Sequence, residues 1–225
     1  MKAARSLTLP GAIAGSIQDG DTLAAIDMGS NSFHMIVVRV TLGQLRVVDR
    51  LRETVRLGEG LYGRGKLDPQ VRDRALDCLS RFGQRIRKVP SRHVRALATN
   101  AVRQMASPRD FLVPAEEALG HAIEVIAGRE EARLIYQGVA HVQPQSDERR
   151  LESLQVGCIS STRRFFSDGR LSRRRWQAAF NEVAAEYQQF ASSYRNLGWH
   201  ETLGSSGTNK AIGAICQAMG LTKGA

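Results

Sequence analysis

Three short apolar runs lie close together near the start of the chain and constrain its fold more than any other feature. They cover residues 23–26, 35–38 and 45–48, and a polar loop or a glycine turn separates each run from the next. Short runs that contain β-branched residues and are punctuated by Gly, Ser and Asn are typical of strands joined by tight turns. The chain is therefore predicted to open with three consecutive strands.

Helical patterns alternate with further strands after this point. A glycine-rich loop at 57–66 leads to Asp68 and Pro69, which predict the start of a helix whose apolar residues recur every three or four positions. Strands are predicted at 94–98 and 123–126, and helices at 107–119 and 128–138. Strands that alternate with helices indicate an α/β layered domain.

The second half of the chain has a less regular pattern. Residues 151–156 are compatible with one short strand. Ser172 begins the longest predicted helix, along which seven apolar side chains, most of them aromatic, recur at alternating steps of four and three residues. We expect this stripe to face the core. A last helix is predicted to follow residues 204–208 and to end near Gly220.

Charge and aromatic content narrow the functional classes. The chain has 32 Lys and Arg against 22 Asp and Glu, a formal charge of +10, which favours an anionic partner. Aromatic residues make up only 6% and are not interleaved with the basic runs, so a stacking surface for nucleic acid is not expected. No apolar run approaches the ~18 residues of a membrane span, so no membrane association is predicted.

The cysteines and the N-terminus indicate a cytoplasmic protein. Cys78, Cys158 and Cys216 are far apart, which fits buried thiols in a reducing compartment better than disulfides or zinc ligands. Residues 1–20 carry two basic residues but no continuous apolar segment. They are predicted to be a disordered leader rather than a secretory signal.

The loop between the first two predicted strands, Asp27–Ser32, is a candidate phosphate site. Its glycine permits close backbone approach, successive N–H groups can form an anion nest, and Ser30 and Ser32 add hydroxyl donors. Asp27 would repel phosphate unless it binds a divalent cation that in turn binds phosphate oxygens. An Asx-type turn without a ligand explains the same residues equally well.

Two further positions could contact phosphate. Residues 204–208 precede a predicted helix, so their N–H groups could bind an anion, although a glycine turn with a Ser or Thr N-cap accounts for them too. Arg103, four residues after Thr99, is the best candidate for a bidentate phosphate contact.

Glu131 is the candidate general base, at the start of the helix that follows the strand at 123–126. It shares its helix face with Leu134 and Ile135, the side expected to pack inward, whereas Glu130 shares a solvated face with Arg133. The alternative is a first-turn glutamate that satisfies backbone N–H groups and the helix dipole.

Five segments, taken in order, resemble the Ppx/GppA exopolyphosphatases of the actin and sugar-kinase superfamily. Residues 25–35 (AIDMGSNSFHM) are similar to the first phosphate loop of that family, residues 99–103 (TNAVR) to its T-x-x-x-R segment, and residues 124–136 (EVIAGREEARLIY) to its E-V-I-x-G-x-E-E-A-R-L-I-Y stretch. Residues 157–160 (GCIS) and 204–208 (GSSGT) match two further landmarks. The resemblance implies an α/β fold of the ribonuclease H-like actin type, in which helices flank a mixed sheet.

The resemblance also implies the domains, the reaction and the site residues. Residues 21–140 would form a first actin-like domain and residues 141–225 a partial second one, and the chain could form a homodimer. The implied reaction removes terminal phosphate from inorganic polyphosphate, or the 5′ γ-phosphate from guanosine pentaphosphate (pppGpp). Asp27 would hold Mg²⁺, and Glu131 would activate the attacking water. The remaining matched residues would bind phosphate: Gly29, Ser30, Asn31, Ser32, Arg103, Gly204, Ser205, Ser206, Gly207 and Thr208.

One expected segment is missing from the sequence. The family places a second loop of the form D-I-G-G-G-S-T-E, with its β-hairpin, between the Glu131 helix and residues 157–160, and residues 143–156 hold no such loop. The sequence also stops before the last segments of the family's second domain. A degenerate relative, an engineered or mis-assembled fragment, and a sequence from which residues were removed would all show this pattern. A second hypothesis is therefore an inactive relic that binds phosphate-rich ligands without turnover, and a third, from charge alone, is a nucleic-acid-binding protein.

Overall fold

The computed structural model describes residues 17–140, 154, 156–198, 204 and 207–221. The chain divides into two units, Met1–Glu131 and Ala132–Ala225, and the division falls inside a helix. The predicted limits of the leader and of the two domains stay a prediction; residues 17–20, at the end of the leader range, form a turn in which Gly20 N–H donates to the Val40 carbonyl. Most of the predicted strand at 151–156 lies outside the described residues.

The described strands of the first unit are β1 Thr22–Met28, β2 Ser32–Thr41, β3 Gln44–Thr54, β4 Leu61–Tyr62, β5 Lys66–Leu67, β6 Val94–Ala98 and β7 Ile123–Val125. Five of them form a mixed sheet at its centre, in the order β3-β2-β1-β6-β7. The three predicted opening strands are confirmed as an antiparallel meander, and the later pair, β6 and β7, joins the other side of β1 in parallel. A separate pair of two-residue strands, β4 and β5, lies within the glycine-rich loop.

Seven α-helices and a short 3₁₀ helix, Ser91–His93, follow or separate these strands among the described residues. The first begins as predicted, because the Asp68 carboxylate accepts hydrogen bonds from the N–H groups of Gln70 and Val71 and proline occupies the first helical position. The helices are α1 Pro69–Ile86, α2 Asn100–Arg103, α3 Pro108–Leu119, α4 Gly128–Ala140, α5 Cys158–Phe165, α6 Arg173–Leu197 and α7 Gly207–Ala218.

The core of the first unit lies between one face of the sheet and the helices α1 and α3. Alternate residues of β1 and β2, including Ile26, Met28, Phe33 and Met35, are buried in it together with Phe82 of α1. The two helices approach so closely at Gly83 that an added Cβ would lie 2.6 Å from the Leu119 carbonyl oxygen. Burial of one face leaves the alternate residues of β1 and β2, such as Asp27 and His34, on the other face.

Strand register brings two loops of the first unit together. Because β1 and β6 are parallel neighbours and Met28 pairs with Ala98, both strands end at the same edge of the sheet. The Gly29–Asn31 loop and the segment Thr99–Arg103, which includes α2, therefore begin side by side. The carboxyl ends of parallel strands are where ligand sites of open α/β sheets form.

The second unit is helical in every element that the structure describes. The predicted long helix is confirmed as α6, and Ser172 caps it by accepting a hydrogen bond from Arg175 N–H. The prediction that its apolar stripe faces a core is wrong, since Trp176, Phe180 and Tyr187 are 57%, 66% and 51% exposed. The described elements of this unit include no sheet surface that could bury the stripe.

The cysteine prediction is only partly right. Cys78 is fully buried in α1, and burial raises the pKa of its thiol to about 12. Cys158 is exposed and Cys216 is half-buried, so they are not core thiols; all three are free. No helix among the described residues combines the length and apolarity needed to cross a bilayer.

Candidate functional site

The loop after β1 is held by backbone hydrogen bonds to the turn that follows β3, residues 55–60, which we call the clamp turn. The Asn31 carbonyl accepts from Val55 N–H at 3.1 Å and from Arg56 N–H at 2.8 Å, and the Ser30 carbonyl accepts from Gly58 N–H at 2.8 Å. In a trans peptide the C=O and the following N–H point in opposite directions. The N–H groups of residues 31 and 32 consequently point away from the clamp turn, as an anion nest requires.

Two glycines allow this close packing. A Cβ at Gly29 would lie 3.0 Å from the Ser32 carbonyl oxygen, and a Cβ at Gly58 would lie 3.2 Å from the Ser30 Cβ. Both distances are shorter than ordinary van der Waals contact. Ser32 is buried at the start of β2, whereas Asn31 is exposed. The loop therefore has a fixed backbone with one polar side chain in solvent, which fits anion binding through main-chain donors.

Asp27 lies at the end of β1 on the open face of the sheet, opposite His34 in the antiparallel register. Crowding by neighbouring protein atoms raises the pKa of its carboxyl group above the ordinary value; His34 lowers that pKa and the Glu131 carboxylate raises it further. Although it is crowded, the residue remains exposed to solvent. Asp27 and Glu131 are thus close enough to interact as like charges, an arrangement that a bound cation would stabilise.

Arg103 connects the loop after β6 to the start of α4. It belongs to the short helix α2, and its guanidinium donates from Nη2 to Glu131 Oε2 at 3.2 Å and from Nη1 to the Ile126 carbonyl. Thr99, just before α2, donates through its hydroxyl to the Met28 carbonyl at 3.5 Å, which ties the ends of β6 and β1 together. The predicted phosphate-binding arginine and the predicted base are therefore in direct contact.

The predicted contrast between Glu130 and Glu131 is wrong. Both side chains are 32% exposed, because Glu130 lies 3.9 Å from the Arg95 guanidinium on β6 while Glu131 pairs with Arg103. Ile135, assigned to the inward face, is 52% exposed. The two glutamates differ in their cation partners rather than in burial.

The predicted residues of the later segments belong to the second unit. Thr208, in the first turn of α7, donates through its hydroxyl to Cys158 Sγ at 3.5 Å, so the segments at 157–160 and 204–208 meet. Gly207 begins α7 and Gly204 is described as coil. Ser205 and Ser206 lie outside the described residues, and the phosphate-binding role of this segment stays a prediction.

The sequence analysis missed the clamp turn. Arg74 of α1 stabilises it by donating from Nε at 2.9 Å and from Nη2 at 2.7 Å to the Val55 carbonyl. The glycines at positions 58 and 60 predict only a loop, whereas an added Cβ at Gly60 would lie 2.6 Å from the Val71 side chain. Their spacing after a strand was the one available signal that this turn packs tightly against other backbone.

Comparisons with known proteins show which protein family has a similar sequence. A sequence model of the Ppx/GppA phosphatase family matches residues 36–151 and 145–224. The proteins named guanosine-5'-triphosphate,3'-diphosphate pyrophosphatase from Photobacterium profundum and from Vibrio vulnificus are each 36% identical to the chain over 219 residues. These alignments take in 88% of this chain and 44% of each relative, so the chain spans less than half the length of the curated relatives it matches.

Solved structures show the same fold. A crystal structure of an exopolyphosphatase from Cytophaga hutchinsonii superposes with a TM-score of 0.79 at 22% identity, covering 91% of this chain and 73% of that one. The Ppx/GppA enzyme of Aquifex aeolicus gives a TM-score of 0.60 at 22% identity, covering 75% of this chain and 64% of its own. The mixed sheet flanked by helices is therefore the actin-like fold of these proteins, as predicted.

The alignments also indicate that the relatives have residues that this chain lacks. The family model matches this chain in two stretches, residues 36–151 and 145–224, which overlap at residues 145–151, where the second phosphate loop is expected. The aligned length of 219 residues with the Photobacterium relative exceeds 88% of this 225-residue chain, so the alignment contains positions that the relative has and this chain lacks.

Proposed function

The chain belongs to the Ppx/GppA phosphatase family, and from this membership and its site we propose that it is a phosphohydrolase. Its proposed substrates are inorganic polyphosphate, which loses its terminal phosphate, and guanosine pentaphosphate, which loses its 5′ γ-phosphate. The names of the similar proteins support both choices. The observation that carries the proposal is the Glu131 carboxylate held 3.2 Å from the Arg103 guanidinium, beside the phosphate loop.

Phosphoryl transfer depends on positioning and positive charge more than on covalent chemistry. We assign phosphate binding to the N–H groups of Gly29–Ser32, whose orientation the clamp turn fixes, and to Arg103. A guanidinium can form two parallel hydrogen bonds to one phosphate. Substrate would then share Arg103 with Glu131, so that the carboxylate stays next to the bound phosphoryl group.

Glu131 is proposed to take a proton from water as that water attacks the terminal phosphorus. The new bond joins the water oxygen to the terminal phosphorus, and the phosphorus–oxygen bond to the rest of the substrate breaks. The proton passes from the water to the Glu131 carboxylate. A general base must lie within hydrogen-bond reach of the water, and its efficiency depends on a fixed position. The hydrogen bond from Arg103 fixes that position.

The donor atoms at this site fit Mg²⁺. The described residues contain no cluster of three or more His, Cys, Asp or Glu side chains, but Mg²⁺ commonly uses one or two carboxylates together with waters and substrate phosphates. Asp27 offers an exposed carboxylate with a raised pKa and a second carboxylate nearby. We propose that Asp27 holds the ion, which when bound would neutralise phosphate charge.

The segment at 204–208 is proposed to bind phosphate from the second unit. Gly207 and Thr208 form the first turn of a twelve-residue helix, and N–H groups at a helix N-terminus bind anions.

The test is phosphate release from polyphosphate and from guanosine pentaphosphate in the presence of Mg²⁺. We expect release by the wild-type chain and a loss of at least about 10²-fold in Glu131→Gln. Glu130→Gln is the matched control, because Glu130 is equally exposed and lies near a different arginine, Arg95 of β6. Phosphate release by the wild-type chain that is no faster than release by Glu131→Gln would refute the proposed activity. Tight binding of either substrate without release would identify a relic that only binds phosphate-rich ligands.

A further inference from the structure

The clamp turn carries an arginine in an unusual backbone conformation. Arg56 has a φ of 57°, a region that residues with a Cβ seldom adopt. Leu42 is the other described non-glycine residue with positive φ, and it lies in the two-residue turn of the β2–β3 hairpin, where such values are required. Arg56 lies between β3 and β4, outside any hairpin turn of that kind.

Contacts on both sides hold Arg56 in this conformation. Its own N–H donates to the Asn31 carbonyl of the phosphate loop at 2.8 Å. The preceding residue, Val55, donates to the same carbonyl and accepts two hydrogen bonds from Arg74. The side chain of Arg56 therefore starts from a backbone position that is fixed directly against the phosphate loop.

The guanidinium of Arg56 is not committed to a strong structural contact. Its side chain is 61% exposed, and the ion pair that it makes, with Glu59, is 3.8 Å long and also exposed. Exposed pairs of this kind contribute little to stability. Glycine would fit the positive φ at a lower conformational cost, so the arginine is explained better by its side chain than by its backbone.

Strand order places Arg56 and Arg103 on opposite sides of the phosphate loop. The sheet order is β3-β2-β1-β6, Arg56 follows β3, and Arg103 follows β6. A chain of phosphates that lies across the loop, along the strand order, would extend from Arg103 toward the clamp turn that carries Arg56. Because Arg103 contacts Glu131, the reacting phosphoryl group belongs on that side and the rest of the anion belongs on the side of Arg56.

We propose that Arg56 binds the phosphate next to the terminal one in a phosphoanhydride chain. The proposal rests on the proposed function and adds a residue that selects chains of linked phosphates over single phosphate. Polyphosphate and guanosine pentaphosphate share this group, so the chemistry at Arg56 is common to both.

The experiment measures binding of tripolyphosphate and of orthophosphate, each with Mg²⁺, by calorimetry. Arg56→Gln is expected to bind tripolyphosphate about tenfold more weakly, the value of one charge-assisted hydrogen bond, and orthophosphate as the wild type does. Arg56→Gly should show the same selective loss with an unchanged or higher unfolding midpoint, because glycine relieves the positive φ. Arg46→Gln is the matched control and should bind both anions like the wild type, since Arg46 is an exposed β3 residue at the opposite end of the strand.

Two results would overturn the role of Arg56 while leaving the proposed function in place. One is wild-type affinity of Arg56→Gln for tripolyphosphate. The other is an equal loss for both anions, which would mean that the residue only shapes the loop. A wild-type chain that neither binds tripolyphosphate nor releases phosphate would overturn the proposed function, and the role of Arg56 with it.

Discussion

The contact between Arg103 and Glu131 makes a prediction that does not depend on catalysis. Replacing Arg103 by Met removes the guanidinium, and replacing Glu131 by Gln removes the carboxylate charge with little change of shape. Because the two side chains are paired, we expect that the effects of the two substitutions on the free energy of unfolding do not add. The difference between the double variant and the sum of the single variants is the coupling energy of the pair.

The expected coupling follows from the geometry. At the Nη2–Oε2 distance of 3.2 Å, Coulomb's law gives about 1.3 kcal/mol with the dielectric constant of water and about 5 kcal/mol with an effective constant of about 20. The side chains are 27% and 32% exposed, and holding two long side chains in one geometry costs entropy. We therefore expect a coupling of about 1 kcal/mol, close to the lower limit.

Urea unfolding followed by circular dichroism measures this coupling in the wild type, both single variants and the double variant. The bond from Arg103 to the Ile126 carbonyl is lost in the Met single variant and in the double variant alike, so it cancels in the cycle. A coupling of zero within about 0.3 kcal/mol would refute the pair, and with it the argument that Arg103 positions Glu131. A parallel cycle on Arg95 and Glu130, whose distance is 3.9 Å, is the control and should give a smaller value.

Three further predictions use other parts of the first unit. The raised pKa of Asp27 means that its charged form is disfavoured in the folded chain, so Asp27→Asn should raise the thermal unfolding midpoint at neutral pH. This gain should disappear as the pH falls below the ordinary aspartate range, where the carboxyl group is protonated in both the folded and the unfolded chain. A gain that does not depend on pH would contradict the crowding of that carboxyl group. Iodoacetamide at pH 8 should label Cys158 rapidly and leave Cys78, with its pKa of about 12, unmodified in the folded protein; equal labelling, read by mass spectrometry, would show that the α1 core is open. Gly65→Ala should lower the free energy of unfolding by about 1–3 kcal/mol more than Gly63→Ala does. Both glycines have positive φ, but only a Cβ at Gly65 would clash, at 2.3 Å from the Gln104 carbonyl oxygen. Equal urea unfolding midpoints of the two variants would argue against this packing.

The elements of the first unit could be predicted because their signals are local. The Asp68 cap and the apolar spacing of α1 lie within one continuous stretch, residues 68–86, and they define both its start and its buried face. The strands β1 to β3 follow from runs separated by short turns. Asp27, Arg103 and Glu131 could be singled out in the same way, because each ends or follows a recognisable strand.

The clamp turn could not be predicted because its contacts join residues far apart in the chain. The bonds from Arg56 and Gly58 to residues 30 and 31 are between backbone atoms, which leave no side-chain pattern in the sequence. The pairing of Glu130 with Arg95 could not be predicted for a related reason. Arg95, its partner, lies on β6, and helix periodicity carries no information about a charge on a neighbouring strand.

The exposed stripe of α6 shows what periodicity does and does not determine. A spacing of three and four residues shows that a helix has a face suited to burial, but the partner surface has to come from other segments. In the first unit the sheet supplies that surface, and α1 is buried as predicted. In the second unit the described elements are helices, and the family model matches in two stretches that overlap at residues 145–151, where the family's hairpin is expected. The contacts that join the Gly29–Asn31 loop, Arg103 and Glu131 all lie within residues 22–131, so these parts of the proposed phosphate site can form without that hairpin.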